Sequence, residues 1–138
     1  MAIWNVVNHE TTSLNLLRTG ERTFRIIQFD EPRFILTGSD YTIVDAQLVS
    51  AFELLLTDQV EINPIQILRR STGEVWNNFI ELNVKKHIDP DKIQLAKPTG
   101  EQIWQYHHEL FVSSELKKKL EQLTNGELMF SEGFSYYA

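Results

Sequence analysis

The sequence predicts an α+β fold: one domain over residues 1–138, mainly antiparallel sheet, with two short helices. Three observations predict it. Apolar residues fall at helical spacing in two stretches. Apolar and polar residues alternate in others, with Gly- and Asn-containing turns between them. A helix followed by a strand also occurs twice, in units at 43–64 and 111–132 that align without a gap.

The second unit is the clearer one. Ser113 is a good N-cap, because its hydroxyl can accept from a free amide of the first turn. Leu116, Leu120 and Leu123 follow at i, i+4, i+7 and line one face, with Lys117, Lys118 and Lys119 turned to water. Asn125-Gly126 tolerates the positive φ at which a helix stops. Leu128 and Phe130 then alternate with Glu127 and Met129 as in a half-buried strand. One constant offset places Val44 on Val112, Asp45 on Ser113, Leu48 on Leu116, Phe52 on Leu120, Leu55 on Leu123, Val60 on Leu128 and Ile62 on Phe130. Asp45 can cap as Ser113 does, and its charge suits the positive helix end. The matched positions have two readings: an internal repeat, or two amphipathic helices that coincide because they share a template.

The other elements follow along the chain. Residues 3–8 read as a short strand. Leu14, Leu16 and Leu17 are the apolar cluster of 9–20. Residues 22–29 alternate and read as a strand; Asp30-Glu31-Pro32 is turn chemistry. Phe34-Ile35-Leu36 is an apolar run before Gly38-Ser39-Asp40. The first helix covers about 45–56. Two patterned runs at 60–70 and 75–84, joined by a Gly73-containing turn, predict an antiparallel hairpin. Pro64 cannot donate to a ladder, so it belongs at a bulge, a bend or an edge. Residues 87–92 read as a loop, and Ile93 and Leu95 as a short strand. Residues 102–111 read as one strand running into the second helix. The aromatic tail, with Phe134, Tyr136 and Tyr137, is an edge strand or a free end.

Composition narrows the function. The 42% hydrophobic and 23% charged fractions are those of an ordinary globular domain. The net charge of −6 argues against a general affinity for nucleic-acid phosphate. With no cysteine, disulfides, thiolate metal sites and cysteine nucleophiles are excluded. No apolar run reaches the ~20 residues of a membrane span, and the first residues lack a signal-peptide pattern. The expectation is a soluble cytoplasmic protein with no membrane and no nucleic-acid partner.

No Gly-rich phosphate loop, GxSxG elbow or HExxH motif occurs. His107-His108-Glu109 is the densest cluster of ligating residues. On one strand His107 and Glu109 share a face while His108 points away. His87, Asp89 or Asp91 would have to supply a third ligand. A metal needs three or four converging groups, so polar strand surface is the expected role, with no metal and no cofactor. Asp89-Pro90-Asp91 lacks the glycine and glutamate of a calcium loop. Asp30, Glu31, Asp40 and Asp45 show no spacing that singles out an acid pair. Arg69-Arg70, Lys85-Lys86 and the three adjacent lysines read as solvated surface. Trp4, Trp76 and Trp104 read as core aromatics rather than a stacking pocket.

One resemblance adds to this. Val112-Ser113-Ser114-Glu115-Leu116, then Leu120, then Leu128-Met129-Phe130 resembles the end of a family of bacterial immunity-type proteins found beside polymorphic or contact-dependent toxins. Leu48-Val49-Ser50-Ala51-Phe52, Val60-Glu61-Ile62-Asn63-Pro64 and Phe79-Ile80-Glu81-Leu82-Asn83-Val84 are similar to its middle section. The resemblance covers residues 43–130. It implies a non-enzymatic protein that neutralises a cognate toxin by direct contact, with no catalytic residues to transfer. Acidic patches serve such proteins against basic toxins, because complementary charge speeds and orients encounter. The expected partner-binding residues are Asp30, Glu31, Asp40, Phe134, Tyr136 and Tyr137. Two rival functions remain: a small-ligand binder or enzyme using His107, Glu109 and His87, and a homo-oligomer pairing through its last strand.

Overall fold

The computed structural model describes residues 3–8, 16–26, 32, 34–38, 41–56, 58–89, 100–107 and 109–133. In chain order the elements are β1 (Ile3–Asn8), β2 (Leu16–Arg18), β3 (Thr23–Ile26), β4 (Ile35–Gly38), β5 (Tyr41–Asp45), the 3-10 helix η1 (Ala46–Leu55), β6 (Val60–Arg69), β7 (Glu74–Val84), β8 (Ile103–Tyr106), β9 (Glu109–Ser113), α1 (Ser114–Thr124) and β10 (Leu128–Glu132). They form a four-stranded sheet, β10-β1-β9-β8, and a six-stranded sheet, β2-β3-β6-β7-β5-β4. Every ladder between these strands is antiparallel except β3 with β6. The α+β architecture expected from the sequence is the one observed.

The two helices belong to equivalent surroundings. β5 and β6 both pair antiparallel with β7, so they run parallel to each other with β7 between them, and η1 makes the crossover. β9 and β10 both pair antiparallel with β1, and α1 makes that crossover. Each is a split strand–helix–strand unit. Each also has an outer hairpin partner, β4 on β5 and β8 on β9.

The registers agree residue by residue. Ile35 pairs with Val44 and Gly38 with Tyr41; at the matching places of the second unit, Ile103 pairs with Val112 and Tyr106 with Glu109. Val44 lies opposite Ile80 on β7, and Val112 opposite Trp4 on β1. Val60 and Ile62 lie opposite Val84 and Leu82, while Leu128 and Phe130 lie opposite Asn8 and Val6. The equivalence thus extends upstream of both helices into the hairpins.

Burial explains why both sequences take this form. Val44, Leu48, Phe52 and Val60 are buried, as are Val112, Leu116, Leu120 and Leu128, all in one core that draws on a face of each sheet and on both helices. Removing such a side chain from water stabilises by about 1.5–3 kcal/mol. One position departs from the sequence expectation: Leu55 is buried, but Leu123 is 40% exposed. The apolar face of α1 therefore rests on Leu116 and Leu120, closed by Thr124, whose hydroxyl donates to the Leu120 carbonyl at 2.8 Å. Asn125 then takes the left-handed conformation, φ +55°, that ends the helix.

The six-stranded sheet is rolled. The amide of Leu16 on β2 donates to the hydroxyl of Tyr41 on β5 at 3.1 Å. Four strand spacings separate β2 from β5 in the sheet order, about 19 Å if the sheet were flat. A tyrosine side chain cannot span that, so the sheet curls until β2 approaches β5. Inside the roll lie Phe24, Ile26, Leu36, Ile43, Ile65, Ile67 and Phe79. Pro64 lies beside the bulge between Ile65 and Ile67, and β3 pairs with β6 only from Gln66 onward, so the strand is locally an edge at the proline.

Two further expectations are corrected. Residues 102–111 are not one strand: β8 and β9 form a hairpin in which Tyr106 pairs with Glu109. His107 adopts φ +52° at the turn, a left-handed conformation that histidine visits more readily than most residues. Arg69 is not solvated: it is buried, 2.7 Å from Glu74, with its guanidinium 5.2 Å from the Trp76 ring centroid. The expected strand at Ile93 and Leu95 and the tail from residue 134 lie outside the described residues.

Candidate functional site

Where the roll of the larger sheet meets the edge of the smaller one, a polar cleft of about 540 Å³ opens. The seam has a local cause. After β7 the chain continues at 85–88 alongside β8: the Gln105 amide donates to the Lys86 carbonyl, and the Ile88 amide donates to the Gln105 carbonyl, each at 2.9 Å. This sets His87 opposite Gln105. His107 follows one residue after β8, its carbonyl accepting from the Gln105 side chain at 2.9 Å and its ring edge-on to Tyr106 at 4.3 Å. Two histidines far apart in sequence thereby line one cleft, and both are exposed.

The facing wall is charged. Arg18 on β2 reaches Glu81 on β7 through both terminal nitrogens, at 3.3 and 2.5 Å, and also donates to the Glu21 carbonyl at 3.2 Å. Its guanidinium lies 4.6 Å from the Phe24 ring centroid. This cation is pinned by a bidentate partner and an aromatic face, the arrangement in which arginine is best fixed. Arg22 is exposed and meets Asn63 at 3.5 Å. The cleft can hydrogen-bond a polar group, with one arginine held by Glu81 and another at its open side.

The three residues considered for an enzyme do not converge. Because β8 and β9 form a hairpin, Glu109 lies across the turn from His107 rather than two residues along one strand. Its carboxylate accepts from Asn5 of β1 at 3.3 Å. Among the described residues no group of three or more His, Asp or Glu is placed to hold a metal ion. The three tryptophans are also apart, in three separate apolar clusters, each with a cation on its ring: Lys117 at 4.5 Å from Trp4, Arg69 on Trp76, and Lys86 at 4.8 Å from Trp104. Burial there lowers the pKa of Lys86 from the usual lysine value.

All six residues expected to contact a partner, Asp30, Glu31, Asp40, Phe134, Tyr136 and Tyr137, lie outside the described residues. Sequence reading missed Arg18 and Glu81, which are distant in the chain and meet only because the sheet rolls. It also missed Leu54, which is 74% exposed on η1. Extending the alignment of the two units to exposed positions would have found it, since Leu54 then falls on Gln122.

Comparison with known proteins finds no matching family model, curated protein or solved structure. Among the described residues, no helix is long and apolar enough to cross a membrane.

Proposed function

We propose that this chain is an immunity-type binding protein that acts in the cytoplasm and neutralises a cognate bacterial toxin by direct contact. The observation that carries this reading is the doubled strand–helix–strand unit. The residues by which the sequence resembles that family, among them Leu48, Phe52, Val60, Val112, Leu116, Leu120 and Leu128, are the ones that build the shared core of the two units. They hold together a two-sheet scaffold whose surface is left for recognition. Support also comes from the charge: a protein of net −6 is drawn to a basic partner.

The test is co-expression with the product of the gene immediately upstream, followed by purification at moderate salt. A stable complex of the two chains is the expected result; separate elution of two folded proteins rejects the reading.

The cleft favours a second reading, a binder of a small polar molecule held between Arg22, His87 and His107. A panel of small carboxylates and phosphates, monitored through the imidazole resonances of His87 and His107, tests it. Saturable shifts favour a ligand site, and unmoved resonances across the panel reject it.

A further inference from the structure

The doubled unit provides an internal control for what the fold requires at each position. At the centre of the core the halves agree: Leu48 and Leu116 are both fully buried, as are Phe52 and Leu120, whereas buried Ala51 falls on partly exposed Lys119. Exposed positions are less uniform: Glu53 and Glu121 agree, but Leu54 and Gln122 do not. Leu54 stands where α1 carries Gln122; both positions face solvent, and Leu54 is the most exposed bulky apolar residue among those described. The fold accepts glutamine at this place in one half, so the leucine in the other is not there for the core.

Its surroundings share the difference. Val49, Ser50 and Ala51 occupy the places of Lys117, Lys118 and Lys119. Ser50 and Ala51, one turn before Leu54, line a shallow groove of about 270 Å³ with Lys119, Gln122 and Leu123 of α1. Leu123 is exposed where its counterpart Leu55 is buried, and Leu56 just beyond η1 is exposed as well. Glu53 and Asp58 flank the two exposed leucines in sequence and are themselves exposed. Residues 34–68 contain no Lys, Arg or His. Of the lysines on α1, Lys117 is paired with Glu121, Lys119 at the groove is paired with Glu101, and Lys118 is exposed. An exposed apolar residue with exposed carboxylates close to it in sequence has the composition of a recognition surface with an apolar centre and a charged rim.

We propose that the outer face of η1, centred on Leu54 and bordered by Glu53, Leu56 and Asp58, is the docking surface for the partner protein, and that the partner presents a basic surface with an apolar contact at its centre. This rests on the toxin-neutralising reading above. The carboxylates guide encounter and Leu54 supplies the desolvated centre.

The experiment titrates wild-type protein, Leu54→Gln and the double variant Glu53→Gln/Asp58→Asn against the purified product of the upstream gene by calorimetry, at low and high salt. Leu54→Gln installs the residue that α1 already carries at this place, so thermal unfolding should not move. The expected result is affinity weakened about tenfold or more by Leu54→Gln, a central contact, and a flattened salt dependence in the double variant. Variants that both bind as wild type does would overturn this surface while leaving the neutralising reading intact. Failure of the wild type to bind rejects that reading and this surface with it. A concentration-dependent mass of the free protein that Leu54→Gln abolishes assigns the face to a second copy of the chain and also overturns the proposal.

Discussion

Asp45 and Ser113 occupy the same place in the two units and do the same work. The Asp45 amide donates to the Phe34 carbonyl at 2.8 Å, and the Ser113 amide to the Gln102 carbonyl at 3.0 Å. Each side chain then turns to cap a helix: Asp45 accepts from the Gln47 amide at 3.0 Å, Ser113 from the Leu116 amide at 3.5 Å. Ser113 also accepts from the Gln102 amide at 2.9 Å and is fully buried. Ser113→Ala should therefore cost about 1–3 kcal/mol, the range for stranding a buried donor. Asp45→Ala should cost about 0.5–2 kcal/mol, the range for a lost cap. Urea unfolding of both variants checks this, with Ser113→Ala expected to be the more damaging.

Leu55 and Leu123 test where the two units part. Leu55→Ala should cost about 2–5 kcal/mol, as for a large-to-small change in a packed core. Leu123→Ala, at a half-open position, should cost about 1 kcal/mol or less. Equal losses in denaturant unfolding would mean that Leu123 is buried like its counterpart.

The roll of the larger sheet depends on Tyr41. Tyr41→Phe removes the acceptor for the Leu16 amide and should cost about 1–3 kcal/mol, with faster hydrogen exchange at Leu16. A Cβ at Gly38 would collide with the Tyr41 ring, too close to accommodate in place. Gly38→Ala should therefore displace that ring and produce the same opening of β2. Unchanged exchange at Leu16 in both variants would contradict the roll.

The turn after β6 carries a pH signature. The Thr72 hydroxyl, and then the Arg69 guanidinium, hold the Glu74 carboxyl below its ordinary pKa. A carboxylate depressed by folding adds stability above its unfolded pKa and loses it as pH falls through the folded value. Wild-type stability should thus decline on acidification through the carboxylate range by more than that of Glu74→Gln, and the two curves should converge at low pH. Parallel curves would remove Glu74 from the account of this turn.

Local chemistry made part of this fold legible. Ser113, Asn125-Gly126 and the Leu116/Leu120 spacing mark the second helix, and the Gly73 turn marks the β6–β7 hairpin. The β8–β9 hairpin was hidden because its turn uses His107 in the left-handed region, with no glycine or proline to announce it. The insertion of β1 and β7 between the strands of each unit left no local trace, since it depends on pairing distant in sequence. The Arg18–Glu81 pair was invisible for the same reason, and Arg69 read as surface because the alternation pattern does not give the hairpin register that sets Glu74 opposite it and Trp76 against its guanidinium. The exposed leucine of η1 differs from its buried neighbours Leu48 and Leu55 in falling on a polar residue, Gln122, a signal that appears only when the two units are aligned at their exposed positions as well.

The most direct measurement is growth. The product of the gene immediately upstream would be induced in bacterial cells with and without this protein, and growth followed over several doublings. Arrest without the protein and restored growth with it, accompanied by a complex of the two chains, is the expected result. Arrest that proceeds at the same rate in the presence of folded protein would contradict neutralisation by direct contact.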